Sequence, residues 1–202
     1  MKPAPHVRAL GVGAPLHYHD DRFDIAAVKL LPADYYVTRD DVALVTVLGS
    51  CVSACLRDGT AGVGGMNHFL LPDGDCADAP ARYGTNAMEL LVNGLLAAGA
   101  SRQRLEAKVF GGGNVLKSFS SQPVGTRNAQ FVIDYLATEG IPVLSSDLMG
   151  PHPRKIWFFP SSGRVVVRRL PSTSDARVRS EEQRYRARIS ATPVSGNVEL
   201  FT

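Results

Sequence analysis

Apolar and polar positions along the chain first settle into a pattern at Phe23. Ile25 to Leu31 is apolar apart from Lys29 and closes in the turn Pro32-Ala33-Asp34, which predicts a strand. Val42 to Leu48 is a continuous apolar run with Thr46 as its one polar residue, as expected of a strand buried on both faces. Val52 to Leu56 and Val63 to Leu71 predict two more strands on either side of the turn Arg57-Asp58-Gly59-Thr60. At Tyr83 the period becomes helical and stays so to Ala98. Met88, Leu91, Val92 and Leu95 form the stripe, and Gly99 sits where a left-handed C′ residue belongs. Leu105 to Phe110 then reads as a strand running into Gly111-Gly112-Gly113-Asn114. A second helix is predicted over Asn128 to Glu139, with Asn128 as N-cap, a stripe of Phe131, Val132, Tyr135 and Leu136, and Gly140 as C′. Ile141 to Leu144 follows as a strand. Ile156 to Phe159 and Val165 to Leu170 flank the four-residue hairpin loop Pro160-Ser161-Ser162-Gly163. Strands in succession, then helices alternating with strands, predict an α+β fold with mixed sheets and argue against a doubly wound parallel sheet.

The ends lack this periodicity. Residues 1–20 are rich in Pro, Gly and His and read as a mobile arm, while the chain after Pro171 turns polar and basic. The expected organisation is therefore an arm (1–20), a single compact domain (21–171) and a basic tail (172–202). A chain of 202 residues, 45% hydrophobic and 20% charged, is long enough to bury such a core without staples. No run reaches transmembrane length and no signal-peptide core is present, so neither membrane insertion nor secretion is expected. Three cysteines, Cys51, Cys55 and Cys76, point to a reducing cytoplasm and not to a disulfide framework. The net charge of +3 is uneven: residues 151–202 hold ten Lys/Arg against four Asp/Glu, concentrated at Arg164–Arg169 and Arg177–Arg188. Such an excess is either a solvated face and tail or an attraction for an acidic protein surface. Nucleic acid is disfavoured, because the basic run lacks interleaved aromatics.

The chemistry centres on one join between strands. Cys55 lies inside an apolar strand and reads as a small hydrophobe, and Cys76 lies in the polar loop PDGDCADAP. Cys51 instead follows Gly49-Ser50 where two strands meet. A thiol with a pKa of about 8.5 needs a partner to act as a nucleophile. His68 stands seventeen residues on, in GGMNHFLLP. A lone histidine among apolar residues is more often a satisfied core residue, but an antiparallel pair turning near Asp58 would bring Cys51 and His68 almost opposite each other. The other histidines are His6, His17 and His19 in the arm and His152 between two prolines. Thr46 is the candidate to orient the imidazole, or else packs by its methyl group. Gly49 and Ser50 offer N–H groups to an oxyanion. With them Asn67, Gly112 and Gly113 are taken as substrate-side candidates, the glycines because they allow backbone to approach a substrate or partner closely. The GGGN run does not fit a phosphate loop, and no second Cys or His pair gives Cys51 and Cys55 a metal-site spacing. No metal or other cofactor is expected.

The stretches LGSCV, GGMNHFLLP, RYGTNAMELLVNGLLAAGA, LEAKVFGGGNVL and VGTRN resemble the CheD family, chemoreceptor glutamine deamidases of bacterial chemotaxis. VKLLPADYYVT is similar to the approach to the first motif, and the resemblance runs from about Phe23 to Leu170. It implies a three-layer α/β/β sandwich, similar to the catalytic domain of cytotoxic necrotizing toxins, with a Cys nucleophile, a His base and a Thr. Cys51 and His68 carry over directly. The family threonine lies six residues before the cysteine, where this chain has Val45; Thr46 is one place closer, which on a regular strand reverses the face unless a bulge compensates. The implied reaction hydrolyses receptor glutamine side-chain amides to glutamate, and glutamate methyl esters would meet the same chemistry. Chemoreceptors are the implied protein substrates and a CheC-type phosphatase the implied partner. The rival reading is a non-catalytic binding module that docks on either. A metal-dependent hydrolase built on His17 and His19 is a third.

Overall fold

In the computed structural model, residues 7–8, 16–71, 78–114 and 123–171, together with 180 and 184, are described. Expectations for the rest of the N-terminal arm, for Cys76 and for nearly all of the basic tail lie outside these residues. In chain order the strands are β1 (Val7–Arg8), β2 (Leu16–Asp20), β3 (Ile25–Lys29), β4 (Tyr35–Thr38), β5 (Ala43–Leu48), β6 (Val52–Asp58), β7 (Val63–Asn67), β8 (Glu106–Gly111), β9 (Val143–Leu148), β10 (Arg154–Phe159) and β11 (Arg164–Arg169). The helices are α1 (Asp78–Ala97), between β7 and β8, and α2 (Val124–Thr138), between β8 and β9.

The strands form a six-stranded sheet, β1-β4-β7-β6-β8-β9, and a five-stranded sheet, β11-β10-β5-β3-β2. Among the described residues only β3–β5 and β8–β9 pair in parallel, so both sheets are mixed. Side-chain alternation along each strand sorts the core into layers. Val52, Ala54 and Leu56 of β6 face the helices with Met88, Leu91, Val92 and Leu95 of α1 and Val132 and Leu136 of α2. The opposite face of the same sheet gives Cys51, Cys55, Met66, Leu70 and Phe110 to a second cluster, shared with Leu44, Leu48, Ile156 and Phe158 of the five-stranded sheet. Helices, six-stranded sheet and five-stranded sheet thus form an α/β/β sandwich. Each large apolar side chain buried in it contributes roughly 1.5–3 kcal/mol.

Neither α1 nor α2 packs on the outer face of the five-stranded sheet. Its own side chains close it: Ala27, Ala43, Val45, Trp157 and Phe159 cluster there, and Arg164 and Lys155 stack over Phe159 and Trp157 at 4.3 and 4.4 Å. The basic residues of β11 are therefore partly spent on aromatic rings.

Two expectations need correction, and one strand was not anticipated. Leu16–Asp20, assigned above to the arm, is the edge strand β2. It pairs with β3 over five residues, and Asp20 accepts a 2.7 Å hydrogen bond from Trp157 Nε1. An edge strand with polar side chains leaves little hydropathy signal. Tyr35–Thr38 is a strand that the adjacent turn hid. α2 begins at Val124, so Asn128 lies inside the helix and is fully buried instead of capping it. Gly99 and Gly140 do end their helices with positive φ, +94° and +67°.

Asp58 fixes the β6–β7 turn. Its buried carboxylate accepts from the N–H groups of Thr60, Ala61 and Ser101 and from the Arg104 guanidinium, which holds it well below the usual carboxylate range. The turn is thereby tied to the connection between α1 and β8.

Candidate active site

β5 carries Thr46 into the space between the sheets. Its pairing with β10 runs without interruption from Leu44↔Phe158 to Leu48↔Arg154, so no bulge is present. The expected reversal of face works in Thr46's favour. Thr46 lines the inter-sheet space with Leu44 and Leu48, whereas Val45 faces the outer cluster. Thr46 Oγ1 lies 2.8 Å from the Leu30 carbonyl and 2.8 Å from His68 Nδ1. A carbonyl only accepts, so the single hydroxyl hydrogen goes to Leu30 and the hydroxyl oxygen accepts from Nδ1–H. That assignment leaves Nε2 bare. It is buried and finds no hydrogen-bond partner among the described residues. Burial pushes the imidazole down to about 4, opposed by the Leu30 carbonyl. His68 is thus neutral near pH 7, with one nitrogen positioned and the other able to take a proton.

Cys51 sits between β5 and β6, fully buried. Beside it, Val52 and Phe69 exchange two backbone hydrogen bonds of 2.9 Å as an isolated bridge. That register places Cys51 opposite Leu70 and His68 opposite Ser53. The sequence reading had set the two candidates almost opposite; the turn is centred one residue later, and they are diagonal neighbours on the same face. Such neighbours have Cα atoms roughly 7–8 Å apart, within reach of an imidazole.

Three successive carbonyls of the Gly49-Ser50-Cys51 join are held from behind. Gly113 N–H donates to Gly49 O, Asn128 Nδ2 to Ser50 O and Gly112 N–H to Cys51 O, each at 2.7 Å. In a trans peptide the N–H points opposite to the preceding carbonyl, so the N–H groups of Ser50 and Cys51 point away from this brace.

Comparison with known proteins bears on what the arrangement is. The family model described as "CheD chemotactic sensory transduction" matches residues 70–169. A Xanthomonas campestris pv. campestris (strain B100) protein described as "Probable chemoreceptor glutamine deamidase CheD" is 60% identical over 194 residues, 96% of this chain and 98% of its own length. The chain belongs to the CheD family. Relatives of the same description from Stenotrophomonas maltophilia (strain K279a) and Janthinobacterium sp. (strain Marseille) are 60% and 55% identical, each over 92% of this chain and 94% of their own length. A crystal structure of a Neisseria meningitidis protein of family-model DUF152 aligns with TM-score 0.37 and 14% identity, over 58% of this chain and 52% of that one.

Within this CheD chain the substrate-side candidates divide. Gly49 and Ser50 belong to the braced join. Gly112 and Gly113 do approach backbone closely, but it is the chain's own. A Cβ on Gly112, whose φ is +65°, would meet Gly125 O at 2.7 Å, and one on Gly113 would meet Gly49 O at 3.0 Å. Asn67 is buried on the α1 side of its strand, away from His68. Its Oδ1 accepts from Ala54 N–H at 2.9 Å, and its Nδ2 donates to Ala87 O at 3.1 Å. Burial pushes the Cys55 thiol far up, consistent with an inert side chain. His19 pairs with the exposed Asp24, and among the described residues no group of three or more His, Cys, Asp or Glu is gathered for a metal. A cleft of about 160 Å³, lined by Asp34, His68, Leu70, Tyr83, Asn86 and Leu90 among others, opens beside the β7 end on the α1 side of the sheet. Sequence reasoning missed Asn128 and the Leu30 carbonyl. The first carried a signal, an asparagine at helical spacing from Val124, Val132 and Leu136, but it was spent on a cap.

Proposed function

We propose that this CheD-family protein is a protein-glutamine glutaminase that hydrolyses chemoreceptor glutamine side-chain amides to glutamate through a Cys51 thioester. The observation that carries the reading is the Thr46–His68 link: it bares Nε2 on the face that Cys51 shares. The names of the relatives support the same substrate class. Cys51 Sγ gives its proton to His68 Nε2 and attacks the carboxamide carbon. The imidazolium returns that proton to the nitrogen, the C–N bond breaks, and ammonia leaves a thioester. Water then loses a proton to the same Nε2 and attacks; the C–S bond breaks, giving glutamate and regenerating the thiol. Thr46 orients the imidazole throughout, and the N–H groups of Ser50 and Cys51, on the side of the join away from the brace, are the candidate oxyanion donors. Glutamate methyl esters would follow the same path with methanol as the leaving group.

Chemoreceptors are the protein substrates in this reading, and a CheC-type phosphatase the regulatory partner. The site of action is the cytoplasm, where thiols outside disulfides, such as Cys51 and Cys55, persist in reduced form. No helix among the described residues is long and apolar enough to cross a membrane. The test is ammonia release from a receptor peptide, with and without iodoacetamide. Cys51→Ala should fold and release none, while Cys55→Ala stays active. Ammonia release by Cys51→Ala would overturn the mechanism, and receptor binding without ammonia from the unmodified protein would leave a docking module.

A further inference from the structure

The Val52↔Phe69 bridge is isolated, although the same register runs from Asp58↔Val63 to Cys55↔Met66 and would include Ala54↔Asn67 and Ser50↔Leu71. Two asparagine carboxamides explain the gaps. At Ala54↔Asn67 the Ala54 N–H donates to Asn67 Oδ1, 2.9 Å, while the Asn67 backbone carbonyl accepts from the Ser53 hydroxyl. At Ser50↔Leu71 a regular ladder would run Leu71 N–H to Ser50 O. Here Leu71 N–H donates to Asn128 Oδ1 at 3.0 Å, and Asn128 Nδ2 donates to Ser50 O at 2.7 Å. The side chain from α2 is inserted into that hydrogen bond as a spare peptide unit.

Cys51 and His68 flank the surviving bridge, one on each strand, and each break lies one residue beyond them. We propose that Asn67 and Asn128 are positioning residues of the site: by opening the ladder on both sides of Val52↔Phe69 they set the separation of thiol and imidazole. Position 128 is otherwise an apolar stripe position, with Val124, Val132 and Leu136 buried at the same spacing, so helix packing alone asks for no amide there. Asn128 also holds the carbonyl of the residue before Cys51, where a displacement of about 1 Å can cost around 10²-fold in rate. The inference rests on reading Cys51 and His68 as the reacting pair.

The test uses the full chain with two readouts: steady-state ammonia release from a receptor peptide, and the pH profile of Cys51 alkylation, which needs no substrate. Asn128→Asp keeps the acceptor for Leu71 N–H and removes the donor to Ser50. Its kcat should fall at least tenfold with KM within about twofold, and its alkylation profile should move to that of His68→Gln. Asn67→Ala should behave likewise. Asn67→Asp retains the bond from Ala54 and should recover most of the loss. Val132→Ala, a core truncation one turn along α2, should lower the melting temperature yet keep kcat. Should Asn128→Asp fail to fold, the Asn67 pair decides. Wild-type kcat and alkylation profile in Asn67→Ala would overturn the proposal, as would a loss of kcat in Val132→Ala equal to that in the asparagine variants. An active Cys51→Ala would instead strike the underlying mechanism.

Discussion

In the proposed mechanism Thr46 takes the place beside His68 Nδ1 that a carboxylate takes in many catalytic triads, but without bringing a charge. A neutral acceptor orients the ring and fixes its tautomer while lending the imidazolium little stabilisation, in keeping with an imidazole held down to about 4 by burial. Thr46→Val removes the acceptor for Nδ1–H and leaves the Leu30 carbonyl unpaired. It should cost about 1–3 kcal/mol of stability and part of the roughly 10²–10⁴-fold that a positioned general base contributes. Thr46→Ser should restore both, as read by denaturant melts and kcat. The lowered pKa also gives an acid signature. Between the free value of 6.5 and about 4 the unfolded chain takes up a proton on this residue that the folded chain refuses. Stability on this account is full above pH 6.5 and falls as the pH drops through that window, by about 3 kcal/mol at its lower end. Urea melts at pH 7 and pH 4.5 should show the loss, and His68→Gln should remove most of it. At this scale the sequence made Cys51 and His68 visible, because a polar residue at a strand join or within an apolar run stands out. It misplaced Asn128 as a cap, and it did not foresee the partners of Asn67 and the two glycines, which are backbone atoms of distant segments that no local pattern names.

Among the elements, β2 shows best what hydropathy hides. Leu16 and His19 are exposed, and the strand holds its place through backbone pairing with β3 and the Asp20–Trp157 bond. A chain starting at Leu16 should melt cooperatively. One starting at Asp21 should unfold at lower denaturant and show altered fluorescence, since Trp157 is the one tryptophan in the sequence. Equal stability of the two would mean that β2 is decoration. Strands β3, β5, β6, β7, β8, β10 and β11 were all legible, because each contributes apolar residues to the core at period two or in continuous runs. β4 was masked by the turn before it, and the start of α2 by an asparagine that resembles a cap.

At the scale of the whole molecule, the site belongs to neither sheet. Thr46 comes from the five-stranded sheet, Cys51 from the crossing between the two sheets and His68 from just beyond β7 of the six-stranded one, so the arrangement exists only while the two are stacked. Cys55 shares that interface and carries a thiol that burial silences, which makes it a reporter of separation. In a urea titration, labelling of Cys55 and loss of ammonia release should share one midpoint. Activity lost well before Cys55 becomes reactive would show that the site fails locally. The α/β/β layering could be anticipated from the order of strands and helices together with the family resemblance. The stacking that brings Thr46 to His68 could not, since it depends on which strand faces lie inward.

Cys51 and His68 are 0% and 3% exposed. Peroxide drives a thiol up the oxidation ladder in proportion to its thiolate character and its accessibility. A sulfur with no surface of its own is sheltered from such damage until something parts the structure around it. On the proposed mechanism, the burial that a receptor glutamine must overcome to reach Cys51 is the same barrier that an oxidant meets, so one structural feature sets both the access of substrate and the lifetime of the thiol.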